Sequence, residues 1–400
     1  MQKAILSGAL VFLVGVGIAL FTIPVSENQL VLKELPSPAG PGSEEPNLTV
    51  ASDGRIYMSW IEAVEPEGHA LRFSSRLPGE DWTAPQTIVG GTNWFVSYAD
   101  SPSIVALPDG ALAAHWLVNA SEPYLEAYHL NLSISRDAGK SWSAPIIPYK
   151  DRSVTQHGLV SLTATPDGNL GAIWLDGRNY TDTIDDVAMM YAAIALDGTA
   201  STDVELDRRV CECCQTSTAL TPEGLLVVYR DRSNDEIRDI AMVSYRNGQW
   251  TEPRVIAADN WEIPACPING PSISAQARNV VVAWFTAPED KPRVQAAFSG
   301  DGGKTFGAPV RVDEGDPIGR VSAVMLPSGR ALISWIEAGK IWVRRISADG
   351  AADPPISVSE TSMSASSGFP QMDRSGSEVV ITWTQPGEPS RVKTAVLAGF

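Results

Sequence analysis

Along most of the chain the apolar residues fall in short runs, some alternating with polar residues and some continuous, each bounded by Gly, Pro, Asp or Ser. That is the pattern of β-strands rather than of helices. One unit recurs from residue 48 onward: an apolar segment, a turn of the Asp-Gly type, and a second apolar segment that ends at an aromatic. The copies are LTVASDGRIYMSW, SIVALPDGALAAHW, SLTATPDGNLGAIW, TALTPEGLLVVY, SISAQARNVVVAW, SAVMLPSGRALISW and PQMDRSGSEVVITW. They close at Trp60, Trp116, Trp174, Tyr229, Trp284, Trp335 and Trp383, at intervals of 48 to 58 residues. Each copy reads as a hairpin whose glycine can take positive φ.

A third strand follows each hairpin, as in LEAYHLNLSIS, IAMVSYR, RVQAAFS and KIWVRRIS, and several copies add a fourth, such as PQTIV, PRVIA, PVRVD and PISVS. Four antiparallel strands repeated at this period predict an all-β fold, a β-propeller of four-stranded blades. Seven copies predict seven blades, with a six-bladed ring as the alternative if one copy lies outside it. The repeated tryptophans are expected to pack between blades.

The last copy has three strands, ending near SRVKTAVL, before the chain stops at Phe400. Gln29 to Lys33 resembles the fourth strands of other blades, so an N-terminal strand near residues 29–34 is expected to close the ring. Further upstream, Lys3 is followed by an uncharged run from Ala4 to Ile23. Such a run has the ~20 apolar residues of a spanning helix. Residues 1–23 therefore read as a membrane anchor or a signal peptide. The single cation on the short side places the remainder outside the cytoplasm, facing the periplasm or the cell exterior. Pro24-Val25-Ser26 is a poor cleavage site, which favours the anchor over secretion after cleavage. Residues 24–46 read as a tether that includes the closing strand, and 47–400 as the propeller.

Composition supports this picture and removes one class of partner. The 29 prolines and 33 glycines among 400 residues suit many short elements joined by turns. A formal net charge of −17 repels a nucleic-acid backbone, so no nucleic acid is expected.

Two segments carry a family resemblance: Ser135-Arg136-Asp137-Ala138-Gly139-Lys140-Ser141-Trp142 and Ser299-Gly300-Asp301-Gly302-Gly303-Lys304-Thr305-Phe306. Both match the Asp-box pattern of the bacterial neuraminidase (BNR) repeat, and the chain from about residue 47 to 400 resembles the sialidase-like propeller superfamily. In these boxes Ser135, Asp137, Gly139 and Trp142, and Ser299, Asp301, Gly303 and Phe306, are expected to build a structural turn. The resemblance implies recognition, and in some relatives hydrolysis, of an anionic glycan. Family sialidases use an arginine cluster, an acid/base Asp and a late tyrosine nucleophile. This chain has no Arg-Ile-Pro motif and no tyrosine after Tyr245, so no catalytic residue is assigned and hydrolysis stays open.

Successive connections in an antiparallel meander alternate faces. The hairpin turns and Asp boxes thus share one face, while the loops after the closing aromatics and between blades share the other. That second face collects Asp176, Arg178, Arg230, Asp231, Arg232, Arg238, His157 and Arg320, the candidates for binding a glycan or small anionic ligand. It also collects all four cysteines, Cys211, Cys213, Cys214 and Cys266. In an oxidising compartment four cysteines suggest disulfides, with three pairings open. The competing reading is a thiolate site for copper or another soft metal with His157 or a Met, which would make the chain a metal-binding or redox envelope protein. The segment from Arg208 to Arg238 joins the two motifs: an inter-blade loop bearing three cysteines and an exit loop bearing three arginines return to the same face.

Overall fold

The computed structural model describes residues 29–120, 127–181 and 185–400. These residues form seven antiparallel sheets and two single-turn 3-10 segments. All seven closing aromatics lie on the second strand of their sheets, so the repeat read from the sequence is the blade. The first blade is Ser43–Val50, Ile56–Val64, Gly68–Arg76 and Gln86–Gly91, and its inner strand begins inside the segment expected to be tether. Two outer edges are irregular. In the second blade a single bridge from Leu132 to Ile146 stands for the fourth strand, and in the fourth blade that strand is split into Gln249–Trp250 and Arg254–Ala257.

The ring closes as expected. Val31–Leu35 pairs antiparallel with Arg391–Ala398, running from Val31 opposite Ala398 to Leu35 opposite Thr394. This supplies the fourth strand of the last blade and covers an edge that would otherwise present unpaired N–H and C=O groups. Leu35 is buried with Ile56, Val380 and Val396, which ties the N-terminal strand to the first and last blades together. The apolar run 4–23 lies outside the described residues.

Packing between blades makes the core. Trp94 and Trp116 pack with Tyr57, Phe73 and Leu112, and Trp335 with Val281, Phe298 and Val321. Each buried indole N–H needs an acceptor. Trp60, Trp174, Trp335 and Trp383 find one two residues further along the same strand, on Glu62, Asp176, Glu337 and Gln385. Trp284 instead donates to Asp259 at 2.7 Å. His115, beside Trp116, is fully buried with Nδ1 at 2.9 Å from Ser103 Oγ, and burial lowers its pKa to about 3.

The two Ser-x-Asp-x-Gly segments fold alike. Asp301 accepts from the amides of Lys304 and Thr305 and from the hydroxyls of Thr305 and Ser299. Asp137 accepts from the Ser141 amide and hydroxyl and from Ser135. Gly139 and Gly303 take φ of +88° and +77°, which a side chain would strain.

Candidate functional site

The junction around the fourth blade forms as the chain order suggests. The hairpin Ser217–Thr221 to Gly224–Arg230 runs to the opposite face and returns. The Cys211 amide then bonds the Arg230 carbonyl at 3.0 Å, joining the entry loop to the exit loop. Arg238 reaches Cys211 Sγ at 3.4 Å and Glu212 at 2.9 Å. Glu236 collects Arg209, Arg232 and Arg238, and Arg232 also holds Asp185. Asp231, at the root of the loop, is raised to about 6 by burial and by the neighbouring Asp207 charge.

Most of the arginines singled out in the sequence have their donors committed inside the protein. Arg230 is 1% exposed, donates to the carbonyls of Asn269, Arg238 and Phe285, and lies over the Trp261 ring. Arg178 clasps Asp176 with two nitrogens and reaches Asp203 with a third. Asp176 also accepts from Trp174. His157 is buried beside this pair, its Nε2 at 3.0 Å from Asp151 and its ring stacked on Tyr149 at 4.6 Å. Asp151, His157 and Asp176 converge closely enough for a cation, but Asp176 already serves Arg178 and Trp174, so the donor set does not fit one.

Of the three cysteine pairings, the structure has Cys213 bonded to Cys266. Cys211 and Cys214 are free thiols, both buried. The Cys213–Cys266 bond takes two sulfurs out of the thiolate site with His157 or a Met that the sequence offers for copper or another soft metal, and leaves Cys211 and Cys214 as thiols.

A second grouping emerges from strand register. In the inner strands, Asn47 stands opposite Ser59 and Ser322 opposite Ser334, each facing the residue before the closing aromatic. Two residues before that position, the same step in all seven blades gives Glu45, Ser101, Leu159, Gln215, Gly270, Arg320 and Phe369. These residues share one level of the ring, at the loop-face end of an axial cavity of about 380 Å³ that Ser101, Leu159, Gln215, Gly270 and Phe369 line together with Asp100 and Asp373. Glu45, Leu159 and Arg320 all take left-handed φ, between +50° and +56°, at a bulge inside the inner strand where the register shifts. The ring is tied across blades. Gln215 donates to the Ala99 carbonyl at 2.7 Å and accepts from the Gly270 amide, while Asn269 accepts from the Arg320 amide at 2.8 Å.

Charges at this mouth are not neutralised. Arg320 is 8% exposed, with Tyr98 and Phe369 rings at 5.5 and 5.6 Å. Its Nη1 donates to Ser364 O at 2.8 Å, to Gly368 O at 3.2 Å and to the Ser367 hydroxyl. No acidic side chain among the described residues offsets it, and burial lowers its pKa. Asp100 is 4% exposed and neither of its oxygens meets hydrogen-bond geometry with a donor. Burial raises it to about 6 against the pull of the Leu159 and Val160 amides and the Tyr128 hydroxyl. Glu45 is raised too, by burial and by the Glu44 and Asp100 charges, and its Oε2 has no partner.

Of the residues singled out in the sequence, then, only Arg320 belongs to this ring. Glu45 was hidden in the segment read as tether, and Asp100 stood as one polar loop residue among many. The signal that finds the ring is its constant place, 14 or 15 residues before each closing aromatic.

No protein-family model matches the chain, and no curated relative does. Among solved structures, it is similar to a protein of unknown function from Dyadobacter fermentans at 17% identity, covering 93% of this chain and 98% of that one with a TM-score of 0.51. It is similar to a GH93 α-L-arabinofuranosidase of Fusarium graminearum at 13% identity, covering 92% and 96% with a TM-score of 0.53. It is also similar to an α-L-arabinanase of Penicillium chrysogenum at 16% identity, covering 76% and 95% with a TM-score of 0.53. At such identities the likeness is one of fold: this chain is a seven-bladed β-propeller.

Proposed function

We propose that this chain is an extracytoplasmic glycan-binding propeller that takes an acidic sugar at the loop-face mouth of its channel, with the sugar's carboxylate on Arg320. The observation that carries this reading is Arg320 itself, a buried cation without an acidic partner among the described residues. A guanidinium desolvated in this way gains most from a bidentate carboxylate. Tyr98 and Phe369 flank it and give a sugar ring apolar surface. The protonated forms of Asp100 and Glu45 donate hydrogen bonds to sugar hydroxyls. Arg320 meets its carbonyl acceptors through Nη1, whereas Arg178 and Arg230 commit Nε, Nη1 and Nη2, and Arg232 and Arg238 are held by carboxylates. A sugar as the ligand class accords with the arabinobiose found in the Fusarium and Penicillium proteins of this fold. Export accords with the Cys213–Cys266 disulfide, a bond that persists in oxidising compartments.

Titration calorimetry with sialyllactose, lactose and arabinobiose tests the reading. Binding of the acidic sugar by the wild type and its loss in Arg320→Met is the expected result. Equal affinity of the two proteins, or a preference for the neutral sugars, would refute it. Release of fluorophore from a sialoside would extend the reading to hydrolysis, with Asp100 or Glu45 as the proton donor.

A further inference from the structure

The four cysteines do more than hold two loops together. The Cys213–Cys266 bond links the loop entering the fourth blade to the loop entering the fifth, and its two halves differ in access: Cys266 is exposed and Cys213 half-buried. Behind it sit two buried thiols. Cys211 Sγ is 3.7 Å from Cys213 Sγ on one side and 2.6 Å from Cys214 Sγ on the other. The sulfurs thus form a continuous file from solvent to core, Cys266, Cys213, Cys211, Cys214. A pair of purely structural thiols needs no such contact with a disulfide.

We propose that this file is a thiol–disulfide exchange site, in which the buried Cys211–Cys214 dithiol passes two electrons through Cys213–Cys266 to an external disulfide. The steps balance within the cluster. Cys211 loses its proton, and its thiolate attacks Cys213 Sγ. The Cys213–Cys266 bond breaks, a Cys211–Cys213 bond forms, and Cys266 leaves with the electron pair and is protonated. Cys214 then loses its proton and attacks Cys211 Sγ. A Cys211–Cys214 bond forms and Cys213 leaves as a thiolate that takes up the second proton. The Cys211–Cys214 pair has been oxidised and the Cys213–Cys266 pair reduced, with two protons moved outward. The outer dithiol reduces a disulfide of a partner protein or of a small thiol such as glutathione disulfide, and an external dithiol recharges the inner pair.

Surroundings favour Cys211 as the attacking group. Burial alone would disfavour its thiolate, but the hydrogen bond with Cys214, the Arg230 charge, the Cys213 amide and Arg238 outweigh burial and bring it to about 7. Attack by a thiolate is the rate-setting event in such exchange. Cys214, buried against the same sulfur, is pushed up instead, which leaves it as the resolving thiol.

The test uses the full chain at pH 8 with glutathione disulfide, acid quenching, alkylation and peptide mapping of the disulfides. The expected product is a Cys211–Cys214 linkage with Cys213–Cys266 intact, formed at one glutathione disulfide consumed per chain. A Cys214→Ser variant should stop halfway and accumulate Cys211–Cys213 with Cys266 alkylated or carrying glutathione. A Cys211→Ser variant, checked for a native melting transition, should slow modification at Cys266 by roughly tenfold or more, because the internal attack is gone. Three results would overturn the proposal: Cys211 and Cys214 staying reduced with no glutathione disulfide consumed, Cys266 reacting at the same rate in Cys211→Ser, or the purified protein carrying a stoichiometric metal on Cys211 and Cys214.

Discussion

Glu45 and Arg320 occupy the same position of their respective blades, and each holds a backbone φ of +56° there. One is an acid with a partnerless buried oxygen and the other a cation without an acid among the described residues, yet the ring geometry keeps them in separate blades and no ion pair joins them. A left-handed residue with a side chain is costly and persists where the surrounding structure over-determines it, commonly at binding sites. Two buried loop-face arginines, Arg320 and Arg230, should therefore respond differently to the same substitution. Arg230→Met strands the Asn269, Arg238 and Phe285 carbonyls and should destabilise the fold by about 1–3 kcal/mol for each carbonyl left without a donor. Arg320→Met should shift the melting temperature less and abolish binding of an acidic sugar. Thermal melts and calorimetry on both variants check this.

Asp100 makes the stability of the fold depend on pH in a direction that can be worked out. Its pKa is raised from 3.8 in the ordinary state to about 6 by burial. An acid raised in the folded state contributes stability that is fully present below pH 3.8 and lost as pH rises through 6. A shift of this size corresponds to about 3 kcal/mol. Glu45 is shifted the same way, while Asp137, held down to about 2 by Ser141 and Ser135, acts oppositely and only below pH 3.8. Between pH 4.5 and 7.5 the melting temperature should thus fall as pH rises. Asp100→Asn should flatten that slope and be the more stable protein at pH 8. An unchanged slope in the variant would show that other groups set it.

Closure of the ring rests on a five-residue strand, Val31–Leu35, whose Leu35 packs against Ile56, Val380 and Val396. Leu35→Asp buries a charge at that contact and frees an edge of the last blade. The melting temperature should drop by roughly 5 °C, since a few kcal/mol moves a chain of this size by several degrees. Val31→Asp, on a residue 58% exposed, should leave it almost unmoved. Scanning calorimetry of the two variants separates the contributions of packing and of pairing.

The repeat was legible because period-two apolar runs and Asp-Gly turns are local features, and the same repeat placed the loops on one face without any tertiary information. Closure was legible from the missing fourth strand alone. What the sequence did not disclose is which polar groups consume one another. Arg178 beside Asp176 reads as a local pair and is one, but Asp203, its second partner, lies 25 residues on. Arg230 spends its donors on backbone carbonyls, which no residue type announces. The cysteine pairing was undecidable in the same way, since all three options join loops that the blade order makes neighbours. Glu45 escaped because the tether was ended at residue 46, whereas pairing begins at Ser43.

The acceptor two residues beyond a closing tryptophan is a sequence feature with a consequence of its own. In the sixth blade Trp335 Nε1 donates to Glu337 Oε2 at 2.8 Å, and the indole is 1% exposed. Removing the acceptor leaves a buried N–H unsatisfied, at a cost of about 1–3 kcal/mol. Glu337→Ala should therefore lower stability by that amount, and Glu337→Gln, which keeps an acceptor oxygen, should recover most of it. Replacing both partners, Trp335→Phe with Glu337→Leu, should cost less than the sum of the two single changes, because neither polar group is then stranded. A chemical denaturation cycle on the four proteins measures the coupling, and strict additivity would show that the hydrogen bond contributes nothing to the packing of this blade.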